Sequence, residues 1–82
     1  MSKKADNLPL TGLRMPTHME INGNTEAIVE GCSGVLEYDT GTVRVRTGRM
    51  TVRFQGRNLT INCLTADSLV VTGFITGIEF MI

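Results

Sequence analysis

The chain has 82 residues, 41% of them hydrophobic, with no Trp and a formal net charge of zero. That length allows one domain with a thin core, and the neutral balance argues against a general nucleic-acid binder. Two cysteines (Cys32, Cys63) and one histidine (His18) form no CxxC or Cys/His cluster, which argues against a zinc site.

Taken in order, the chain begins with MSKK followed by Ala5-Asp6-Asn7 rather than an apolar run, so no secretory signal is expected. No later apolar stretch approaches the roughly 18 residues of a membrane span, and a reduced, cytosolic protein is the default. Leu8, Leu10, Leu13 and Met15 are interrupted by Pro9 and Gly12 and followed by Pro16, which leaves no room for an ordinary helix. Residues 1–15 therefore read as a flexible or extended N-terminal segment, and residues 16–82 as the folded domain.

Residues 17–21 (THMEI) alternate and end at Asn22-Gly23-Asn24, a hairpin signal of the type I′ kind, because both central positions of that turn need positive φ. Residues 25–30 (TEAIVE) favour strand through the β-branched pair Ile28-Val29. Gly31-Cys32-Ser33-Gly34 reads as a turn, residues 35–38 (VLEY) as a strand, and Asp39-Thr40-Gly41 as its end.

From Thr42 onward five period-two runs follow one another. Val43 and Val45 oppose Arg44 and Arg46; Met50, Val52 and Phe54 oppose Thr51 and Arg53; Leu59, Ile61 and Cys63 oppose Thr60 and Asn62. Thr47-Gly48-Arg49, Gln55-Gly56-Arg57-Asn58 and Thr65-Ala66-Asp67-Ser68 read as turns, and Gly73 and Gly77 as interruptions of the closing strands. The pattern predicts an all-β, single small domain of seven or eight short, mainly antiparallel strands, a meander forming a sandwich, barrel or stacked roll. Cys63, at an apolar position of a strand, is expected to be a small buried hydrophobe; spacing alone leaves a Cys32–Cys63 disulfide open.

Nothing resembles a catalytic constellation. His18 has no partner that would make it a general base, and Gly31–Gly34 lacks the lysine and spacing of a phosphate loop. No cofactor or metal is implied. Charge is nevertheless segregated. Glu20, Glu26, Glu30, Glu37 and Asp39 precede a run containing Arg44, Arg46, Arg49, Arg53 and Arg57 with no acid among them. If the first two meander strands pair, Arg44, Arg46 and Arg53 share one patch. Three readings stand: a solvated face that keeps the sheet soluble, a match for the acidic segment within a subunit or between copies, or contact with nucleic acid or an anionic surface. Glu26 and Glu30, with Ile28 between them, read as a solvated edge or interface rim. A core this thin also raises the expectation of a homo-oligomer.

Several of these features, in this order, carry a resemblance. Pro16, Glu20-Ile21-Asn22-Gly23-Asn24, Ile28-Val29-Glu30, Gly34 and Leu36-Glu37-Tyr38 come first. Val43-Arg44-Val45-Arg46-Thr47 and Gly56-Arg57-Asn58-Leu59-Thr60-Ile61 follow, and the closing stretch is Val70-Val71-Thr72-Gly73-Phe74-Ile75-Thr76-Gly77-Ile78-Glu79-Phe80. Together they resemble the YabP/YqfC family of bacterial sporulation proteins. The resemblance covers residues 16–80. It implies a small cytoplasmic protein of the mother cell in a spore-forming bacterium, without known enzymatic activity, and it agrees with the reading of the residues as a binding or assembly module whose expected partner is a further copy of itself or another sporulation protein. Glu30-Gly31-Cys32-Ser33-Gly34 departs from the family's Glu-Asn-His/Arg-basic-Gly, so any contact made by that loop is altered here.

Overall fold

The structure, a computed structural model, describes residues 17–82; the segment 1–15 and the expected domain start at Pro16 lie outside the described residues. Six strands form: β1 (His18–Asn22), β2 (Glu26–Glu30), β3 (Gly34–Tyr38), β4 (Thr42–Thr47), β5 (Met50–Thr65) and β6 (Ser68–Met81). They make one antiparallel sheet in the order β1-β2-β6-β5-β4-β3. The all-β expectation holds, with six strands in place of seven or eight.

The difference in count comes from β5 and β6, which run for 16 and 14 residues, well beyond the usual strand of about 5–6 residues. Gln55-Gly56-Arg57-Asn58 is not a turn, and Gly73 does not end a strand. Both strands bend at these residues while staying paired. Residues 50–55 of β5 pair with β4 and with residues 77–81 of β6, whereas residues 60–65 pair with residues 68–72 of β6, which in turn pair with β2. The bend therefore divides the sheet into two four-stranded halves. One holds β3, β4, the first part of β5 and the last part of β6. The other holds β1, β2, the first part of β6 and the last part of β5.

At the bend the backbones are in close contact. A Cβ on Gly56 would sit 1.9 Å from the carbonyl oxygen of Phe74, and one on Gly73 would sit 2.5 Å from that of Asn58. Asn58 has φ 54° and Gly73 φ 133°, values that asparagine and glycine reach at least cost. Between the pairs Arg57↔Phe74 and Thr60↔Thr72, two residues of β5 oppose one of β6, the arrangement of a β-bulge, which increases twist and bends the strand.

Two hairpin loops clamp this corner, one on each side. The amides of Gly56 and Leu59 donate to the carbonyls of Gly41 and Thr40 in the β3–β4 loop, at 3.1 and 2.9 Å. The amides of Gly73 and Ile75 donate to those of Thr25 and Asn24 in the β1–β2 loop, at 3.1 and 2.7 Å. The second clamp accounts for a correction to the Asn22-Gly23 turn. Strand β1 ends at Asn22 and β2 begins at Glu26, so the loop has three residues rather than two, and the extra length carries the carbonyls that hold β6. In the β3–β4 loop, Asp39 Oδ1 accepts from the amides of Gly41 and Thr42, at 2.7 and 2.8 Å, an Asx turn that orients the loop.

Inward side chains of both halves meet in one cluster. Val43, Val45, Val52 and Phe54 come from the first half, and Ala27, Val29, Leu69 and Val71 from the second, with Leu59 at the bend. Met19, Met50, Ile61 and Ile78 pack at its margin. Thr47, the one buried polar side chain among the described residues, donates to the Met50 carbonyl at 3.2 Å across the Gly48-Arg49 loop.

Cys63 is not the buried residue expected from its alternation. Cys63 pairs with Leu69 but lies near the end of β5, where it is exposed, whereas Cys32 is buried in the core. Both are free thiols. Gly31 and Cys32 donate their amides to the Asp67 carbonyl, at 2.8 and 3.1 Å, which draws the β2–β3 connection inward over the β5–β6 turn. Burial pushes the Cys32 thiol above its ordinary value; Asp67 and Cys63 add to the rise, and a backbone hydrogen bond opposes it. The folded state thus holds this proton more tightly than the unfolded chain. The contribution to stability is complete at neutral pH and drains away as pH rises above the usual thiol range. Brief alkylation at neutral pH should label Cys63 and spare Cys32 until the protein unfolds, as read by mass spectrometry of the digest. Equal labelling rates in the folded protein would contradict this placement.

Candidate interaction surface

Because the two halves face each other across the core, the alternate side chains of every strand point outward on two opposite faces. Cross-strand register then decides which charges become neighbours. On the first face one row crosses four strands: Glu37 of β3, Arg44 of β4, Arg53 of β5 and Glu79 of β6. Two arginines side by side would repel, but each has an acid on its far side. Arg44 Nε lies 2.9 Å from Glu37 Oε1, and Arg53 Nη2 pairs with Glu79 Oε1. All four side chains are about one-third to one-half exposed, and ion pairs of that kind contribute about 0–1 kcal/mol each. Their effect is on charge pattern more than on stability.

The next row carries Arg46, Thr51 and Met81. Arg46 is exposed, and among the described residues no carboxylate pairs with it. Arg49 is exposed in the adjoining β4–β5 loop. Arg57 is not part of this patch. It lies at the bend, with its guanidinium 5.1 Å from the centre of the Phe74 ring. Together with Asn58 these two side chains line a shallow hollow of about 300 Å³ that is largely open to solvent. The structure thus brings Arg44, Arg46 and Arg53 onto one face, with Arg49 at its rim, and sets Arg57 apart.

The opposite face is acidic. Glu20 of β1 and Ile28 of β2 stand in one row with Val70 of β6 and Asn62 of β5. Glu26 and Glu30 flank that row on β2, each two residues from Ile28. Ile28 and Val70 are direct cross-strand neighbours, and both are only half-buried although they point away from the core. Asn22 donates to Glu26 Oε1 at 2.9 Å, and the Thr60 and Thr72 hydroxyls share a hydrogen bond of 2.7 Å. The face is therefore an apolar pair within a ring of carboxylates and neutral polar groups. Glu30 sits beside His18 in register.

Reasoning from sequence alone missed two participants. Glu79, partner of Arg53, is 26 residues away along the chain, and no local signal links them. Val70 lies in the run Leu69-Val70-Val71, where continuous apolarity hides which residues turn outward. Among the described residues no group of three His, Cys, Asp or Glu side chains gathers as a metal site, and no helix long and apolar enough to cross a membrane is present.

The YabP family matches residues 14–81. The chain belongs to that family. No match was found among curated proteins or among solved structures. YabP is a sporulation-associated family not known for enzymatic activity. In this YabP chain the glycine-and-asparagine stretches noted in the sequence, Gly56-Arg57-Asn58-Leu59 and Thr72-Gly73-Phe74, meet at the corner where both long strands bend.

Proposed function

We propose that this YabP chain is a non-enzymatic structural or assembly protein of bacterial endospore formation, acting in the mother-cell cytoplasm by self-association or by binding another sporulation protein. The observation that supports this reading is the division of charge between two opposite outer faces. The β1–β2 side carries Glu20, Glu26 and Glu30, and the β4–β5 side, where Glu37 and Glu79 pair with Arg44 and Arg53, keeps Arg46 in excess. Exposed faces with complementary potential guide register and partner choice. The alternative, a nucleic-acid or anionic-surface module using residues 44–57, has less support. Glu37 and Glu79 neutralise Arg44 and Arg53, and Arg57 stands apart from the patch. Phe54, the aromatic side chain within that run, is fully buried, so no stacking platform for bases accompanies the arginines.

Light scattering after size exclusion, at low and at high salt, tests the proposal. A mass above the 9.0 kDa of one chain at low salt, falling as salt is added, is the expected result. A strict monomer in both salts at high protein concentration would remove self-association from the account.

A further inference from the structure

From the register we infer how copies of the chain meet: head to tail, with the acidic β1–β2 face of one stacked on the arginine-bearing β4–β5 face of the next. The inference rests on the self-association reading and names its surface.

Three observations carry it. The first is charge. On the acidic face Glu20, Glu26 and Glu30 have no arginine or lysine among their cross-strand neighbours. On the other face two acids cancel two arginines and leave Arg46 in excess, with Arg49 beside it. Each copy therefore presents one face of net negative and one of net positive charge, and a second copy is a complementary partner.

The second observation is apolar. Ile28 and Val70 form an outward pair at the centre of the acidic face. An outward β-branched pair bordered by carboxylates on β1 and β2 and by neutral polar groups on β5 and β6 matches the anatomy of a binding patch, an apolar centre within a polar rim. On the opposite face the half-buried Met81 lies in the same row as Arg46. A methionine there supplies an adaptable apolar surface for that pair.

The third observation is direction. The two surfaces are different patches on opposite sides of one molecule, so a contact between them is heterologous. Such a contact does not close on itself in a two-fold dimer and generates a ring or an open stack.

Single charge reversals test this. Glu30→Lys acts on the acidic face and Arg46→Glu on the basic face. Both side chains are exposed, and neither belongs to the Arg44–Glu37 or Arg53–Glu79 pair, so circular dichroism should show an unchanged fold. Each variant alone should self-associate about tenfold or more weakly, since like charges then meet. An equimolar mixture of the two should recover association, because the new lysine of one chain can face the new glutamate of the other. A chain with Asn24→Lys and Ala66→Lys, both in loops, undergoes the same change in net charge as Glu30→Lys and should associate like the wild type. The stacking is overturned if the wild type associates and either reversal leaves it unaltered, or if the mixture stays as weak as its components. A wild type that is monomeric throughout overturns the self-association reading itself, so the two failures are distinguishable.

Discussion

Replacing Gly56 by alanine should cost more than about 3 kcal/mol, the upper end of what overpacking produces. The new methyl would enter the space of the Phe74 carbonyl oxygen, 1.9 Å away, with the Phe74 carbonyl carbon and the Ile75 Cα at 2.9 and 3.0 Å. All three are backbone atoms, so no side chain can swing aside. Relief requires β5 and β6 to separate at the corner, which also pulls on the hydrogen bonds to Gly41 and Thr40. At about 0.05–0.15 kcal/mol per residue, a chain of this size has only about 4–12 kcal/mol in total. Much of the Gly56→Ala protein should therefore unfold or become insoluble. Gly34→Ala is the matching control: nothing lies within 4 Å of its added methyl, and its effect should stay within about 0.5 kcal/mol. Urea titration of both variants decides. Equal stability would mean that the two long strands do not cross as closely as described.

The second large effect belongs to Phe54. Its ring is fully buried and stands in register with Val43 on one side and Ile78 on the other, on the inner surface of the first half. Truncation to alanine removes the largest buried side chain in the core and leaves a cavity that two rigid strands cannot close. A loss of about 3–5 kcal/mol is expected. Phe74→Ala provides the contrast, since that ring is 42% exposed and its charged contact is Arg57; its loss should be about 1 kcal/mol or less. Comparable losses at Phe54 and Phe74 would contradict the assignment of inner and outer faces.

Alternation made much of this legible in advance. The opposition of Val43 and Val45 to Arg44 and Arg46, and of Val52 and Phe54 to Arg53, follows from period two and is reproduced in the strands. The clustering of Arg44 with Arg53 follows from the Gly48 hairpin. What was not legible depends on partners distant in sequence. Gly56 and Asn58 have the chemistry of a turn, and a bulge demands the same chemistry. The carbonyls of Thr40, Gly41, Asn24 and Thr25, brought in from two other hairpins, accept the amides at the bend while β5 and β6 stay paired on either side of it. Cys63 points inward as its alternation requires, but it lies near the strand end, where little covers it. Cys32, in a segment that reads as a loop, is drawn into the core by the amide contacts to Asp67. The acid–base–base–acid row needs β3 and β6 on either side of the β4–β5 pair, an arrangement that depends on strand order.

The same strand order gives the outer surface its character. A bent sheet that holds its core on the inner surface displays the alternate side chains on two opposite faces, and in this YabP chain the net charges there differ in sign. The measurement closest to that claim is the molar mass of the wild-type protein, followed by light scattering over a wide concentration series at low salt and repeated at high salt. Head-to-tail contact between opposite faces predicts a mass that climbs with concentration without levelling at a dimer, and that returns towards 9.0 kDa as salt screens the faces. A mass fixed at one chain, or a dimer plateau indifferent to salt, would contradict it.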